Sequence, residues 1–171
     1  LERAAATGDG SAARDAFAAA AIPEKIATAI VAGYRALGGG SVAARSSATA
    51  EDLPGAAFAG QQDTILGIRD EAALLKGVRQ CWGSLWSDRA ISYRLQRGFA
   101  GQPVALAVVV QRMVAADAAG VLFTANPITG ARNQTVIDAS TGLGEAIVSG
   151  LVTPDHCILQ RGRLGWKIIE H

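Results

Sequence analysis

Apolar positions along this chain repeat first at helical spacing and later at strand spacing, and that change organises the whole reading. Ile26, Ile30, Val31 and Tyr34 fall on one helical face. A helix is therefore expected from Ile22-Pro23-Glu24, with Pro23 in its first turn, to about Leu37, where Gly38-Gly39-Gly40 stops it. Ahead of it, residues 1–21 are alanine-rich with a break over 7–11, which predicts two short helices, the second opening near Ser11. Ser41–Ala44 reads as a strand ending at Arg45, and Thr64–Ile68 as another. Asp70 is placed to cap a long helix running to about Asp88, with Leu74, Val78, Cys81 and Leu85 in one stripe. Trp82 and Trp86 sit four apart on a neighbouring stripe, where core packing is favoured over base stacking. Asp88–Phe99 continues helical, with Ile91 and Leu95 inward and Arg89, Arg94 and Arg97 outward.

Gly101-Gln102-Pro103 marks a border, and strands follow it. Val104–Val114 and Val121–Ala125 flank an Ala-Ala-Asp-Ala-Ala-Gly segment, which predicts a hairpin. Asn126–Gly130 is a loop and Thr135–Ala139 a third strand. Gly142–Gly150 makes a short helix after a glycine-rich turn. Cys157–Gln160 and Trp166–Ile169 form a closing hairpin around Arg161-Gly162-Arg163. The expected class is α+β, with layered helices and mixed sheets, in one domain over 1–171. Its helix-rich part is 1–100 and its strand-rich part 101–171.

Composition narrows this picture. The chain has 171 residues, 50% of them hydrophobic and 18% charged, enough for one domain with a real core. A net charge of +1 gives no bulk electrostatic case for nucleic acid or an anionic membrane as partner. Cys81 and Cys157 are far apart in apolar contexts and read as reduced, buried thiols. His156 beside Cys157 is a poor metal half-site, because adjacent strand residues point to opposite faces. The longest apolar run, Val104–Val110, is too short to span a bilayer, so a soluble cytoplasmic protein is expected. The chain starts without methionine and is expected to be part of a longer protein.

The chemistry concentrates in residues 41–68, SVAARSSATAEDLPGAAFAGQQDTILGI. A strand delivers Arg45 to its end, and small and hydroxyl residues Ser46–Ala50 follow, then Glu51 and Asp52. A second small-residue loop, Phe58-Ala59-Gly60-Gln61-Gln62, leads into Thr64. Small residues let backbone N–H groups approach an anion, and a guanidinium adds charge and directed donors, so phosphate handling is suggested. An ion pair with Glu51 or Asp52 is the competing reading of Arg45, a plain turn that of Gly60, and a backbone-bonded strand hydroxyl that of Thr64. Gln111 is read as ending a buried strand, where its amide needs a partner unless the strand end meets water. Glu51 and Asp52 are read as loop organisers held ionised by the neighbouring arginine. Asp138, Glu145 and Asp155 are read as cap or dipole partners rather than catalytic acids. The chain has no phosphate loop of the Gly-x-x-x-x-Gly-Lys-Ser/Thr kind, and Gly142-Leu143-Gly144 lacks the third glycine of a dinucleotide fingerprint.

The 41–68 run, together with SLWSDRAISYRLQRGF (84–99), VALAVVVQRMV (104–114), GVLFTANPITG (120–130) and DASTGLGEAIVSGLVTPD (138–155), resembles the ATP-binding domain of the phosphoenolpyruvate synthase and pyruvate phosphate dikinase family, which includes the rifampicin phosphotransferases. The resemblance covers about residues 22–160 and implies a partial ATP-grasp-like fold, with nucleotide between two subdomains. It implies ATP contacts from Arg45, Gly60, Thr64 and Gln111, with Arg45 on the phosphates in a catalytic role and Gln111 near the adenine.

The resemblance also implies what the full-length protein does. ATP would phosphorylate a histidine on a swivelling domain, releasing AMP and phosphate, and the phosphate would pass to pyruvate or a rifamycin-type antibiotic. The NPITG and GLGEAIVSGLVTPD blocks look closer to the rifampicin branch. The family's catalytic lysine, its Mg²⁺ ligands, its phosphohistidine domain and its acceptor-binding domain all fall outside these residues. The chain alone is therefore expected to be inert, to hold no metal, and to self-associate through uncovered apolar faces. Two alternatives remain: a non-catalytic nucleotide-binding module, and an interaction domain whose arginine loop is a relic.

Overall fold

A computed structural model describes residues 9–49, 64–96, 105–163 and 165–171. The chain divides into two compact units, Leu1–Met113 and Val114–His171. Both are built on purely antiparallel sheets where mixed sheets were expected, and the α+β class stands.

The first unit opens with helix α1 (Ser11–Ala19) and helix α2 (Glu24–Ala36), the latter starting after Pro23 as expected. Gly38, Gly39 and Gly40 all take positive φ, which ends α2 with conformations that side chains resist. Strand β1 (Val42–Ala48) is central in a sheet of order β2-β1-β3, with β2 at Thr64–Ile68 and β3 at Leu106–Arg112. Helix α3 (Glu71–Ser84) is capped by Asp70, whose Oδ1 accepts from the Ala73 N–H at 2.7 Å. Its buried stripe of Leu74, Val78 and Cys81 closes on Val42, Ala44 and Ile68 of the sheet, with Tyr34 of α2 completing the core. The Tyr34 hydroxyl donates to the Gly40 carbonyl at 2.8 Å, and the buried Cys81 thiol to the Ala44 carbonyl at 3.7 Å.

The long helix expected through Asp88 breaks at residues 85–87, and α4 (Asp88–Gln96) starts afresh. A node across α1 and α4 fixes this turn. Arg14 Nη1 donates to the Trp86 carbonyl at 2.7 Å and to Asp88 Oδ1 at 2.9 Å, and the Gly10 N–H also reaches Asp88 at 3.3 Å. Only glycine fits at position 10, since a Cβ there would stand 1.7 Å from the Trp86 carbonyl oxygen. Ile91 is inward as expected, whereas Leu95 is exposed. Arg94 is not outward: it is 8% exposed and lies over the Trp86 ring at 5.3 Å, because the indole offers a cation a flat, electron-rich face.

The second unit is a sheet of order β4-β5-β6-β7: Ala118–Phe123, Gln134–Thr141, Asp155–Gly162 and Gly165–Glu170. The closing hairpin is present as β6-β7, and the short helix as α5 (Glu145–Val148). The hairpin expected from residues 104–125 is absent: β3 pairs with β1 and β4 with β5, so nonlocal partners override the local turn signal. The loop at 126–130 is braced by buried Asn126, whose Oδ1 accepts from the N–H groups of Ile128 and Thr129 and whose amide donates to Gln134. Among the described residues no single helix is long and apolar enough to cross a membrane.

Candidate functional site

The register of β1 decides which side chains share a face. Arg45 stands opposite Thr64 of β2 on one side and Val109 of β3 on the other. Ala43 stands opposite Gln111, and Ser47 opposite Ala107. Directly opposed residues of an antiparallel ladder project to the same face, as do residues two apart on a strand. Val42, Ala44 and Ile68 therefore turn to the core under α3, and Arg45, Ser47, Thr64, Val109 and Gln111 turn the other way, where all five are exposed. Thr64, Arg45 and Val109 form a straight row across three strands, about 10 Å wide at a spacing of about 4.8 Å per strand. Gln111 is diagonal to Arg45, at about 7–8 Å by strand geometry.

Three of the four residues expected at the nucleotide thus come together on one face, and Gly60 lies outside the described residues. Two expectations about them are corrected. Arg45 does not end its strand: β1 continues to Ala48, because Ser46, Ser47 and Ala48 pair with Val108, Ala107 and Leu106, and the Thr49 N–H donates to the Ala105 carbonyl. Ser46–Ala48 therefore belong to a ladder rather than an open anion-cradling loop. Gln111 does not close a buried strand: β3 alternates between half-buried and exposed positions, and Gln111 falls on the exposed side.

Electrostatically, Arg45 puts a cation on this face. Among the described residues no carboxylate pairs with it: Asp88 pairs with Arg14, Glu71 with Arg35, and Asp138 lies against the His156 ring. Glu51 and Asp52, its competing partners from the sequence, lie outside the described residues. Ser47 and Val109 were not singled out in the sequence. The period-2 alternation starting from Arg45 and Gln111 was the signal that places them.

Two other features stay separate from this face. A cavity of about 540 Å³ opens among Ile30, Tyr34, Val78, Trp82, Val108 and Val110, on the core side of the sheet, and it includes none of the expected contact residues. In the second unit, His156 Nδ1 lies 2.6 Å from Asp138 Oδ1 across β5 and β6. Asp138 is therefore a mid-strand partner of a histidine, not a helix cap. Glu145 lies in the first turn of α5 and Asp155 begins β6. Among the described residues no three His, Cys, Asp or Glu side chains gather where they could hold a metal ion.

The architecture is that of a partial ATP-grasp-like nucleotide-binding domain of the α+β class. The family described as "Pyruvate phosphate dikinase, AMP/ATP-binding domain" matches residues 2–171, and the chain belongs to that family. It is 54% identical over 129 residues to a phosphoenolpyruvate synthase of Pyrococcus furiosus, covering 75% of this chain and 16% of that protein. It is 57% identical over 122 residues to a rifampicin phosphotransferase of Bacillus subtilis, covering 71% of this chain and 14% of that protein. A rifampicin phosphotransferase of Streptomyces sviceus is 48% identical over 151 residues, covering 88% of this chain and 17% of its own length. The chain spans less than a fifth of each of these relatives.

Proposed function

We propose that this chain is the part of a dikinase-type phosphotransferase that holds ATP on the exposed face of the β2-β1-β3 sheet. The observation that carries the reading is the convergence of Arg45, Thr64 and Gln111 on that face, with the guanidinium free of any described carboxylate. A guanidinium stays charged at all working pH values and offers forked donors to phosphate oxygens. The Thr64 hydroxyl, next across the strands, donates to the same oxygens. The Gln111 amide supplies a donor and an acceptor, which suits the edge of a purine. Gly60, in the segment outside the described residues, is assigned to the same ATP site on the family resemblance.

Arg45 would act in catalysis by spreading the charge that develops on the transferred phosphoryl group. In the full-length protein that group would pass to a histidine on a separate swivelling domain, with release of AMP and phosphate. It would then pass to pyruvate or a rifamycin-type antibiotic. Identities of 54% and 57% to the two kinds of relative are too similar to choose the acceptor, which other domains would bind. Among the described residues no carboxylate cluster would hold magnesium, and the family resemblance assigns its ligands to other parts of the full-length protein. The chain alone is expected to bind ATP without turning it over. Chromatographic assay for AMP after incubation with ATP and magnesium tests this: no AMP above a blank is expected, and robust AMP formation would overturn it.

A further inference from the structure

The second unit keeps its charges apart. It carries four cations, Arg132, Arg161, Arg163 and Lys167, and five acids, Asp117, Asp138, Glu145, Asp155 and Glu170. The cations gather at one end of the β4-β5-β6-β7 sheet. In the β6-β7 hairpin Arg161 stands opposite Trp166 and Lys167 opposite Gln160, with Arg163 in the turn. The Arg161 N–H donates to the Asn133 carbonyl at 2.8 Å, which brings the loop carrying Arg132 alongside. Four of the acids sit toward the other end: Asp155 opposite Ala139, Asp138 next to it, Asp117 whose carbonyl accepts from the Gly142 N–H, and Glu145 in α5. Strand β5, Gln134–Thr141, runs about 23 Å between the two ends, well beyond a screening length of about 8 Å. Glu170 is nearer, but it stands opposite Ile158, three residues from Arg161 along β6, or about 10 Å. All four cations are exposed, and among the described residues none pairs with a carboxylate. Arg161 shares its face with two apolar side chains of β7, Trp166 at 54% and Ile168 at 57% exposed.

We infer that the tip of the β6-β7 hairpin, with the loop carrying Arg132, docks an acidic protein segment, a stretch rich in Asp and Glu with an apolar side chain among its carboxylates. Three guanidiniums at this end offer forked donors to carboxylates. Trp166 and Ile168 add the apolar contact that charge alone lacks, and Trp and Arg are the side chains that most often dominate protein–protein binding. A nucleic acid matches this surface less well. Five acids against four cations leave the unit without a net positive field, and the cations form no stripe along the sheet that could follow a phosphate backbone. Nothing in this surface belongs to the ATP face, which lies in the first unit.

The test is fluorescence anisotropy with three labelled probes: a peptide of Asp and Glu carrying a single Leu, the same peptide with Asn and Gln in their place, and a single-stranded oligodeoxynucleotide with as many phosphates as the first peptide has carboxylates. Each is titrated with the chain and its Arg161→Gln, Trp166→Ala and Arg69→Gln variants. Arg69 is an exposed arginine of the first unit, so its variant removes the same charge from elsewhere. Arg161→Gln changes an exposed side chain and should leave the fold intact. The acidic peptide should bind, less tightly as salt is added, and the Asn and Gln peptide should not. Arg161→Gln and Trp166→Ala should each weaken the acidic peptide by about five-fold, and Arg69→Gln should leave it unchanged. Equal binding of the two peptides, or an equal loss in Arg69→Gln and Arg161→Gln, would overturn the inference. Tighter binding of the oligonucleotide, lost in Arg161→Gln, would make nucleic acid the partner and overturn it as well.

Discussion

Arg45 and Thr64 are directly opposed partners across β1 and β2, so a cation and a hydroxyl stand side by side on the open face of the sheet. Directly opposed Cβ atoms are about 5 Å apart, close enough for both groups to reach one phosphate. Thr64→Val keeps the branched shape and removes only the hydroxyl. It should weaken ATP binding by about ten-fold, the scale of one hydrogen bond to a charged group. The melting temperature should stay within the small range of exposed substitutions. Unchanged affinity would detach Thr64 from the site.

Asp88 supplies a pH dependence whose sign is fixed. Hydrogen bonding from the Arg14 side chain, and then from the Gly10 N–H, holds its carboxyl below the usual carboxylate range. A folded-state value below the unfolded one stabilises the fold at pH values above about 4, where the unfolded carboxylate is also ionised. That contribution is lost as the pH falls through the folded value. Asp88→Asn should therefore lower the melting temperature near neutral pH, and the gap should close in acid. Melting curves that stay parallel from pH 6 to pH 2 would contradict this.

Arg94 is buried over Trp86, and among the described residues its Nη1 has no hydrogen-bond partner. Burial pushes its pKa below the usual arginine value. Removing a buried, incompletely paired charge while keeping an apolar stem relieves its desolvation. Arg94→Met should therefore raise stability by about 1 kcal/mol, read by denaturant titration, whereas Arg94→Lys should lower it by losing the planar stack. Strong destabilisation by Arg94→Met would mean that the guanidinium serves a partner.

Leu74 is fully buried between α3 and the sheet. Leu74→Ala should cost about 2–5 kcal/mol, seen as a lower urea midpoint at unchanged slope. A loss under 1 kcal/mol would show that the α3–sheet core is not tightly packed.

Local signals carried much of this fold. Thr64–Ile68 is a strand to the residue, Asp70 caps its helix, and Pro23 and the three glycines bracket α2, since each depends on neighbours in sequence. The misreadings share a nonlocal cause. Ser46–Ala48 look like loop residues until Val108, Ala107 and Leu106 of β3 pair with them from far along the chain, and β3 and β4 look like a hairpin until each finds another strand. Arg94 looks like a solvated charge until the Arg14–Asp88 node turns the chain at 85–87 and brings Trp86 beneath it. The candidate site was half legible. Residue types named Arg45, Thr64 and Gln111, but only the register showed that they share a face, and that Val109 joins them.

The most direct test of the central claim is calorimetric titration of ATP into this chain and its Arg45→Ala variant, each with and without magnesium. The account predicts binding by the parent chain and at least a ten-fold loss in Arg45→Ala, with the melting temperature kept because the arginine is exposed and makes no described ion pair. Equal affinity in parent and variant would contradict it, by showing that the triphosphate does not rest on the exposed face of the β2-β1-β3 sheet.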